Sequence, residues 1–436
     1  MSEQYTVHPS FKISGIVNVP GDKSISHRSL ILLSIADGIA KISGLLESED
    51  CLATLKIFRM LGVKIEKDSN NSYTVYGKGK HGLLVTNNNL DCGNSGTTMR
   101  LLAGLMSAQT FSSNLVGDSS LSKRPMERIS KPLSMMGANI SLSKNKTSPI
   151  KIKGIKKIKS IEYKMPIDSA QIKSSIILAS LYADDKTKIT ENIPTRDHTE
   201  NIINFLNGNI TTLNNQITID PLSKLISRDI DIPGDISSAM FIIVACLISK
   251  HSEILIKNVG LNDLRTGSIE ILKLMGAQIT VLNIKKYGPE KVGDIRVKSS
   301  TLKGIEIPKK YVANAIDEFP IIFIAAANAS GKTLLKNAEE LRYKESDRLE
   351  AMSKGLTNCK INNNLFKDGI EIEGGEIAGA VVNSFGDHRV AMSFAIAGVT
   401  AKNPITILNT ESVSTSFPDF YSLAKLIGIN IIRENI

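Results

Sequence analysis

Near its start the chain reads Ile16-Val17-Asn18-Val19-Pro20-Gly21-Asp22-Lys23-Ser24, and half a chain later it reads Ile230-Asp231-Ile232-Pro233-Gly234-Asp235-Ile236-Ser237-Ser238. In both stretches a strand-like alternation runs into Pro-Gly-Asp and then into a helix start with hydroxyl groups in its first turn. The repetition predicts two related halves. We expect the chain to cross between two domains near Pro20-Gly21 and Pro233-Ser238, with residues 20–237 as an upper domain and residues 1–19 with 238–436 as a discontinuous lower domain.

A shorter repeat divides each half again. A helix-like apolar run ends in glycine and continues into a strand-like residue at Gly62, Gly137, Gly208, Gly276 and Gly428, with a degenerate copy at Gly355. These six glycines are 68 to 79 residues apart, and each suits the left-handed backbone that ends a helix. Six matches at near-constant spacing predict six related units of helices and strands, three in each half.

Composition narrows the class of protein. A chain of 436 residues with 42% hydrophobic content can bury two sizeable cores. No apolar run approaches the ~20 residues of a membrane span, and the first twenty residues lack a signal-peptide pattern. Four scattered cysteines without a Cys-x-x-Cys pair, Cys51, Cys92, Cys246 and Cys359, predict buried thiols in a reducing compartment and no structural zinc. We therefore expect a cytoplasmic protein.

The formal net charge of +10 makes nucleic-acid binding an alternative. Against it, aromatic residues make up only 5% of the chain, Trp is absent, and no nucleic-acid motif is recognisable. We interpret the lysine-rich stretch from Lys151 to Lys164 as a surface connection. The arginines are more informative, because several stand in Gly- or Ser-rich turns before apolar helices rather than in one stripe.

Several basic turns in the first half of the chain suit an anionic ligand. Lys23 and Arg28 belong to a helix start, where unpaired N–H groups and the helix dipole already favour anions. The small residues around Gly96 allow backbone amides to approach a ligand, and Arg124 precedes another helix. Further polar helix starts contain Ser169, Gln171 and Arg196. A solvated, capped turn would explain any one of these alone, but their recurrence predicts a strongly anionic ligand.

The second half supplies candidates for acid–base chemistry. Asp317 and Glu318 precede an apolar run, and Lys344, Glu345 and Arg348 follow within one short segment. An exposed, salt-bridged helix would explain Lys344 and Arg348. It would not explain why Gly-Asp-His-Arg, residues 386–389, enters so hydrophobic a helix. These carboxylates are therefore the candidates for acid–base chemistry.

Taken together, these motifs resemble the 5-enolpyruvylshikimate-3-phosphate synthases, in the family's order and over nearly the whole chain. The resemblance rests on residues 20–28, 93–100, 124–126, 169–171, 317–320, 344–349, 386–392 and 415–420. The segments 94–102 and 195–200 are more similar to the second bacterial class than to the enterobacterial and plant class.

The resemblance implies a two-domain α/β fold of six βαβαββ units, three per domain, with helix N-termini facing the interdomain cleft. It also implies transfer of the enolpyruvyl group of phosphoenolpyruvate to the 5-hydroxyl of shikimate 3-phosphate. This addition–elimination passes through a tetrahedral intermediate, releases phosphate and belongs to chorismate and aromatic amino acid biosynthesis. We expect no cofactor and no metal. The expected partners are the two small substrates alone, with no nucleic acid and no membrane, and the expected state is a monomer.

The resemblance also assigns site residues. For shikimate 3-phosphate it implies Lys23, Ser24, Arg28, Ser169, Ala170, Gln171, Arg196, Asp317 and Lys344; for phosphoenolpyruvate it implies Lys23, Gly96, Arg124, Gln171, Arg348 and Arg389; and for catalysis it implies Lys23, Asp317 and Glu345. Gly96 is the small residue expected to leave room for glyphosate, a phosphonate analogue of phosphoenolpyruvate. Two positions depart from the pattern. Ala170 stands where much of the family has serine, and Thr415 stands where the other class has lysine.

Two alternatives remain open from the sequence. The first is the related enolpyruvyl transferase that acts on UDP-N-acetylglucosamine; it shares the fold but lacks the Lys-Ser-x-Ser-x-Arg arrangement. That family usually has a reactive loop cysteine, and neither Cys92 nor Cys246 suits such a loop. The second is a non-catalytic basic protein that binds anions or nucleic acid. It would not need Asp317 and Glu345 among anion-binding turns.

Overall fold

The computed structural model describes residues 3–222 and 224–435, which form a mixed α/β protein. The strands are β1 Glu3–His8, β2 Ser14–Asn18, β3 Asp37–Ser43, β4 Lys64–Ser69, β5 Ser72–Lys78, β6 Leu90–Asp91, β7 Ser113–Val116, β8 Asn139–Ser141, β9 Ile150–Lys153, β10 Glu162–Lys164, β11 Thr187–Thr190, β12 Asn209–Leu213, β13 Gln216–Asp220, β14 Ile230–Asp231, β15 Glu253–Gly260, β16 Gln278–Tyr287, β17 Glu290–Lys298, β18 Lys332–Leu335, β19 Asn363–Phe366, β20 Gly369–Glu373, β21 Ala380–Asn383, β22 Ile405–Leu408 and β23 Asn430–Asn435.

The α helices are α1 Lys23–Ser34, α2 Glu49–Met60, α3 Gly96–Ser107, α4 Glu127–Met135, α5 Ala170–Ser180, α6 His198–Phe205, α7 Ile236–Ile248, α8 Gly267–Leu274, α9 Lys309–Val312, α10 Phe319–Ala327, α11 Arg348–Asn358, α12 His388–Ala397 and α13 Phe420–Leu426. Short 3₁₀ helices occupy Leu121–Lys123, Ala313–Ala315, Glu339–Tyr343 and Glu411–Thr415. Within the described ranges, no helix is both long enough and apolar enough to cross a membrane.

The chain divides into two compact units. The discontinuous unit contains the described residues up to Pro20, then Pro233–Lys286 and the described residues from Lys291 onward. The 21–232 unit contains Gly21–Ile232 together with Tyr287–Glu290. The divisions after Pro20 and before Pro233 coincide with the two Pro-Gly-Asp turns. The assignment of these units to the lower and upper domains of an enolpyruvyl transferase stays a prediction.

The same strand order recurs in small sheets. In the 21–232 unit the orders are β14-β3-β5-β4, β6-β7-β9-β8 and β10-β11-β13-β12, each a parallel pair followed by two antiparallel pairs. In the discontinuous unit the orders are β2-β15-β17-β16, β18-β20-β19 and β21-β22-β1-β23. In the last of these, the N-terminal strand β1 lies antiparallel between β22 and β23. The repeated order is consistent with six related units, as the spacing of the glycines predicts.

Each unit has its own hydrophobic core. In the discontinuous unit α10 is buried along its whole length and α7 almost so, as expected for helices that are apolar on every face. In the 21–232 unit α3 packs very closely on α5. A Cβ added at Gly104 would lie 2.0 Å from the carbonyl oxygen of Ser175, so only glycine allows this approach. This packing brings the first turn of α3 next to the first turn of α5.

The predicted left-handed glycines are correct at four positions. Gly62, Gly137, Gly276 and Gly428 have φ of 85°, 89°, 99° and 102°. The prediction is wrong at Gly208, where the preceding Asn207 takes the left-handed conformation with φ 71°. It is also wrong at Gly355, which lies inside α11, while Lys360 takes the left-handed position with φ 63°. Gly355 serves packing instead, because a Cβ there would lie 2.1 Å from the Phe394 ring.

Two other expectations from the sequence can be compared with the structure. The four cysteines are free and buried, as predicted. The stretch from Lys151 to Lys164 is not simply a surface connection, because it contains most of β9 and all of β10. Strand β9 pairs with β7 and β8, and β10 pairs with β11. The alternation of isoleucine and lysine in β9 gives this strand one buried face and one exposed face.

Candidate active site

The first turn of α1 presents Lys23 and Ser24. Asp22 caps this helix, since its carboxylate accepts the backbone N–H of Ile25 at 2.9 Å. Lys23 Nζ lies 2.5 Å from Asp50 Oδ2, in the first turn of α2. Asp50 was not identified from the sequence. Acidic residues are common in the first turn of a helix, and the sequence does not indicate which cation such a residue pairs with. The ion pair holds the ammonium of Lys23 beside the N-terminus of α1.

Arg28, one turn further along α1, connects three helices. It is buried, and it donates hydrogen bonds to Thr199 Oγ1 at 2.7 Å, Ser174 Oγ at 2.9 Å and the Ser24 carbonyl at 3.0 Å. Thr199 lies in α6 and Ser174 in α5. These three oxygens orient the guanidinium of Arg28 beside the first turn of α1.

A buried polar chain links the starts of α1, α2 and α3. His27 Nδ1 lies 2.8 Å from Thr54 Oγ1, Thr54 Oγ1 lies 2.7 Å from Thr98 Oγ1, and Thr98 donates to Ser95 Oγ at 2.7 Å. Burial, and then the nearby charges of Lys23 and Arg28, hold the pKa of His27 well below its usual range. The imidazole is therefore neutral in the folded protein.

This neutral histidine predicts acid sensitivity. Below the ordinary histidine pKa of about 6.5, the unfolded chain takes up a proton that the native state refuses, so the free energy of unfolding falls as the pH falls. The expected loss from this one group is about 1.4 kcal/mol per pH unit below that pKa, with no loss above it. Urea unfolding between pH 5 and pH 8 should show a shallower dependence in His27→Asn, which keeps a partner for Thr54. An unchanged slope in this variant would contradict the assignment.

Gly96 and Arg124 lie around the start of α3. Ser95 caps this helix through the N–H of Thr98 at 3.1 Å, and Gly96 is its first residue. Arg124 donates to Asn94 Oδ1 at 2.8 Å. A Cβ at Gly96 would lie 3.2 Å from Arg124 Nη1 and 3.3 Å from Arg100 Nη1, so both guanidinium groups face this glycine. Arg100 lies in the motif at residues 93–100 but was assigned no role from the sequence, although its spacing of four residues from Gly96 places it on the same helix face.

The start of α5 lies against this group. Gln171 donates to Thr97 Oγ1 at 2.9 Å and accepts a short hydrogen bond from Arg100. Ser169 is the N-cap residue of α5, but its hydroxyl makes no capping bond within the helix. Ala170 follows as the first helical residue and offers only its backbone amide. Arg196 stands two residues before α6.

The predicted carboxylates of the discontinuous unit share one cation, Arg348. Asp317 Oδ1 lies 3.4 Å from Lys344 Nζ and 3.6 Å from Arg348 Nη1. Glu345 Oε2 accepts a hydrogen bond from Arg348 Nη2 at 2.6 Å. Arg348 therefore contacts both carboxylates that the sequence proposes for proton transfer.

Arg348 and Asp387 form the fully buried part of this ion cluster. Only 1% of the Arg348 side chain is exposed, and its Nε donates to Asp387 Oδ2 at 2.8 Å. Burial alone would lower the pKa of Arg348, but the carboxylates of Asp387 and Glu345 raise it. Burial raises the pKa of Asp387, but Arg348 pulls it below its usual value. The exposed-helix alternative is wrong, because Arg348 is buried at the start of α11 and Lys344 lies in the preceding loop.

Arg389 joins this cluster from α12. Its Nη1 donates to the Asp317 carbonyl at 2.9 Å and lies 3.6 Å from Glu318 Oε1. Glu318 is buried and accepts a short hydrogen bond from the Ser237 hydroxyl. Arg265, which sequence reasoning missed, donates to Ser237 Oγ at 2.6 Å. At the second Pro-Gly-Asp turn, the cation is therefore Arg265, which is distant in sequence. At the first turn it is Lys23, which directly follows the turn.

The predicted residues therefore form two groups, one in each unit. The 21–232 unit contains Lys23, Ser24, Arg28, Gly96, Arg124, Ser169, Ala170, Gln171 and Arg196, and the discontinuous unit contains Asp317, Lys344, Glu345, Arg348 and Arg389. Thr415 ends a 3₁₀ helix, and its hydroxyl donates to the Ser412 carbonyl at 2.7 Å. Over residues 3–222 and 224–435, no group of three or more His, Cys, Asp or Glu side chains has a metal-binding arrangement.

The fold is an α/β fold with repeated sheets, and the site combines cations at helix N-termini with two carboxylates near one arginine. These features are typical of a transferase that acts on anionic substrates. The chain belongs to the EPSP synthase (3-phosphoshikimate 1-carboxyvinyltransferase) family, whose model matches residues 7–423. A 3-phosphoshikimate 1-carboxyvinyltransferase of Legionella pneumophila (strain Corby) is 53% identical over 423 residues, which cover 97% of this chain and 98% of the relative.

Further comparisons agree. A 3-phosphoshikimate 1-carboxyvinyltransferase of Methylococcus capsulatus (strain ATCC 33009 / NCIMB 11132 / Bath) is 48% identical over 427 residues, which cover 98% of each chain. The fold is similar to the solved EPSP synthase of Acinetobacter baumannii, with a TM-score of 0.90 and 47% identity over 99% of this chain and 100% of that one. The resemblance to the EPSP synthase family found in the sequence is therefore confirmed.

Proposed function

We propose that this protein transfers the enolpyruvyl group of phosphoenolpyruvate to the 5-hydroxyl of shikimate 3-phosphate and releases phosphate. The observation that carries the proposal is the contact of Arg348 with both Asp317 and Glu345, with Lys344 beside Asp317. This arrangement combines cations for anionic substrates with two carboxylates for proton transfer. Membership of the family and the names of relatives at 53% and 48% identity support it.

The substrates explain the abundance of cations. Each brings one phosphate and one carboxylate, and these anions repel one another unless positive charge and helix dipoles surround them. We assign the anionic groups and hydroxyls of shikimate 3-phosphate to Lys23, Ser24, Arg28, Ser169, Ala170, Gln171, Arg196, Asp317 and Lys344. We assign phosphoenolpyruvate to Lys23, Gly96, Arg124, Gln171, Arg348 and Arg389. The arginines suit bidentate contacts with carboxylate and phosphate.

The reaction has two stages, addition and elimination, and each needs two proton transfers. In the addition, the 5-hydroxyl oxygen bonds to C2 of phosphoenolpyruvate and loses its proton, while C3 gains one. In the elimination, the C2–O bond to phosphate breaks, the leaving phosphate oxygen takes up a proton, and C3 loses one, which restores the double bond. Asp317 and Glu345 are the proposed proton-transfer groups, and Lys23 assists near C3 and the leaving phosphate.

The direct experiment is release of phosphate from phosphoenolpyruvate with shikimate 3-phosphate, run beside UDP-N-acetylglucosamine. We expect turnover with shikimate 3-phosphate only. Turnover with the nucleotide sugar instead would overturn the proposal. The structure gives no support to that alternative, since Cys92 and Cys246 are buried and burial raises the pKa of Cys246 to about 12.

Gly96→Ala should weaken phosphoenolpyruvate binding. The new methyl group would press on the guanidinium ends of Arg124 and Arg100 at 3.2 and 3.3 Å, which must move by a few tenths of an ångström. We expect the KM for phosphoenolpyruvate to rise about tenfold, as moderate overpacking implies. Competitive inhibition by glyphosate should weaken by at least the same factor.

The check is steady-state inhibition against phosphoenolpyruvate, with the KM for shikimate 3-phosphate as the internal control. That KM should change less than about twofold, because Gly96 is assigned to phosphoenolpyruvate alone. An inhibition constant equal to that of wild type would contradict the role of Gly96.

The remaining proposals concern setting and partners. We propose that the protein acts as a monomer in the cytoplasm, on small-molecule substrates and without nucleic acid. Free, buried cysteines support a reducing compartment. Size-exclusion chromatography with light scattering tests the monomer.

A further inference from the structure

Lys173 is buried in the 21–232 unit and is not among the residues expected to contact substrate. It lies in the first turn of α5, and only 1% of its side chain is exposed. Its Nζ lies 2.8 Å from Glu200 Oε1 and 3.1 Å from Glu191 Oε2, and it donates a hydrogen bond to the Thr195 carbonyl at 2.8 Å. The Glu200 and Glu191 carboxylates raise the pKa of Lys173 against the opposing effect of burial.

The three partners of Lys173 span one segment. Glu191 directly follows β11, Thr195 lies in the loop, and Glu200 belongs to the first turn of α6. Glu191 also accepts the Thr195 N–H at 3.2 Å and a short hydrogen bond from the Thr195 hydroxyl. One buried ammonium therefore fixes the beginning, middle and end of residues 191–200 against α5. Arg196 lies in this segment, next to Thr195.

A second network runs beside the first. Ser174 follows Lys173, Thr199 precedes Glu200, and their hydroxyl oxygens lie 2.7 Å apart. Arg28 donates to both hydroxyls. The two networks together tie the segment with Arg196 to the first turn of α5 and to the guanidinium of Arg28.

A contribution to stability does not by itself explain the ion cluster around Lys173. This cluster places one cation against two carboxylates, and burial raises the pKa of Glu191. Within the part of the chain that the structure describes, Glu200 Oε2 is buried without a hydrogen-bond partner. Buried ion clusters of this kind are often no more stable than well-packed apolar replacements, and fixing a geometry is the best-attested reason to keep one.

We propose that Lys173 is a positioning residue for shikimate 3-phosphate: by holding residues 191–200 against α5, it fixes Arg196 relative to Ser169 and Arg28 before the substrate binds. The inference rests on the proposed function. Preorganised binding groups lose less conformational freedom on binding, so loosening this segment weakens affinity without removing a direct contact. Lys173 acts through Arg196 and touches no substrate.

The test is a double-mutant cycle on the affinity for shikimate 3-phosphate, measured by calorimetry without phosphoenolpyruvate. We expect Lys173→Met to weaken the Kd about tenfold in the wild-type background and less than about twofold in an Arg196→Ala background. In turnover assays the KM for shikimate 3-phosphate should rise, while the KM for phosphoenolpyruvate changes little.

Two further variants distinguish the positioning of Arg196 from a general loss of stability. Ile176→Ala creates a cavity on the same helix, one turn from Lys173, at a fully buried position. It should lower stability and leave the Kd unchanged. If Lys173→Met does not fold, Thr195→Val removes only the hydroxyl contact with Glu191 and should weaken the Kd about threefold.

Three results would overturn the inference. They are equal losses of affinity with and without Arg196, an equal loss in Ile176→Ala, and wild-type affinity in both Lys173→Met and Thr195→Val. Failure of the wild-type protein to bind shikimate 3-phosphate would instead overturn the proposed function on which the inference rests.

Discussion

Asp317→Asn and Glu345→Gln are each expected to lower kcat by about 100-fold to 10,000-fold, the usual contribution of a positioned acid or base. Both replacements keep the size of the side chain and a hydrogen-bond acceptor for Lys344 or Arg348. Neither amide can take up and return a proton. The kcat falls because the 5-hydroxyl and C3 of phosphoenolpyruvate lose their proton partners, while the cations that bind the substrates remain.

The measurement is phosphate release at saturating concentrations of both substrates, with calorimetric binding of shikimate 3-phosphate beside it. Glu350→Gln is the matched control for Glu345→Gln: Glu350 lies five residues later, in the first turn of α11, and pairs with Lys354 at 2.7 Å in solvent. This variant should retain wild-type kcat. A kcat within tenfold of wild type in both active-site variants would remove Asp317 and Glu345 from the chemistry.

Arg348→Met is expected to destabilise the protein by about 3–5 kcal/mol, the range for removing one partner of a buried ion cluster. Asp387 is fully buried, and Arg348 is its hydrogen-bonded cation at 2.8 Å. Without the guanidinium, the carboxylates of Asp387, Glu345 and Asp317 would face one another with less positive charge. Phosphoenolpyruvate would also lose an assigned binding group, so activity should fall below detection.

Urea unfolding measures the first effect and phosphate release the second. Arg342→Met is the control: Arg342 pairs with Asp347 at 2.6 Å and donates to the Phe366 and Lys367 carbonyls, but it and Asp347 are partly exposed, so its loss should cost less than that of Arg348. Arg348→Lys should be intermediate in stability, because it keeps the charge but not the geometry of the guanidinium. Equal stability losses in Arg348→Met and Arg342→Met would contradict the burial argument.

Much of the candidate site was predictable because it depends on short-range patterns. The Pro-Gly-Asp turns, the caps at Asp22 and Ser95 and the cations in first helical turns follow from neighbouring residues. The repeated spacing likewise predicted related units before any pairing of strands was known. Where the local rule failed, packing decided: α11 runs through Gly355, which lies against the Phe394 ring.

The sequence by itself thus predicted which turns suit an anionic ligand and which carboxylates are candidates for proton transfer. The tertiary structure alone decided the partners: Asp50 for Lys23, Asp387 for Arg348, and Glu191 with Glu200 for Lys173. The physical reason is that the two kinds of interaction act over different separations along the chain. A helix cap is satisfied within a few residues, whereas a buried charge is neutralised by whichever opposite charge the packing brings within about 4 Å, at any distance along the chain.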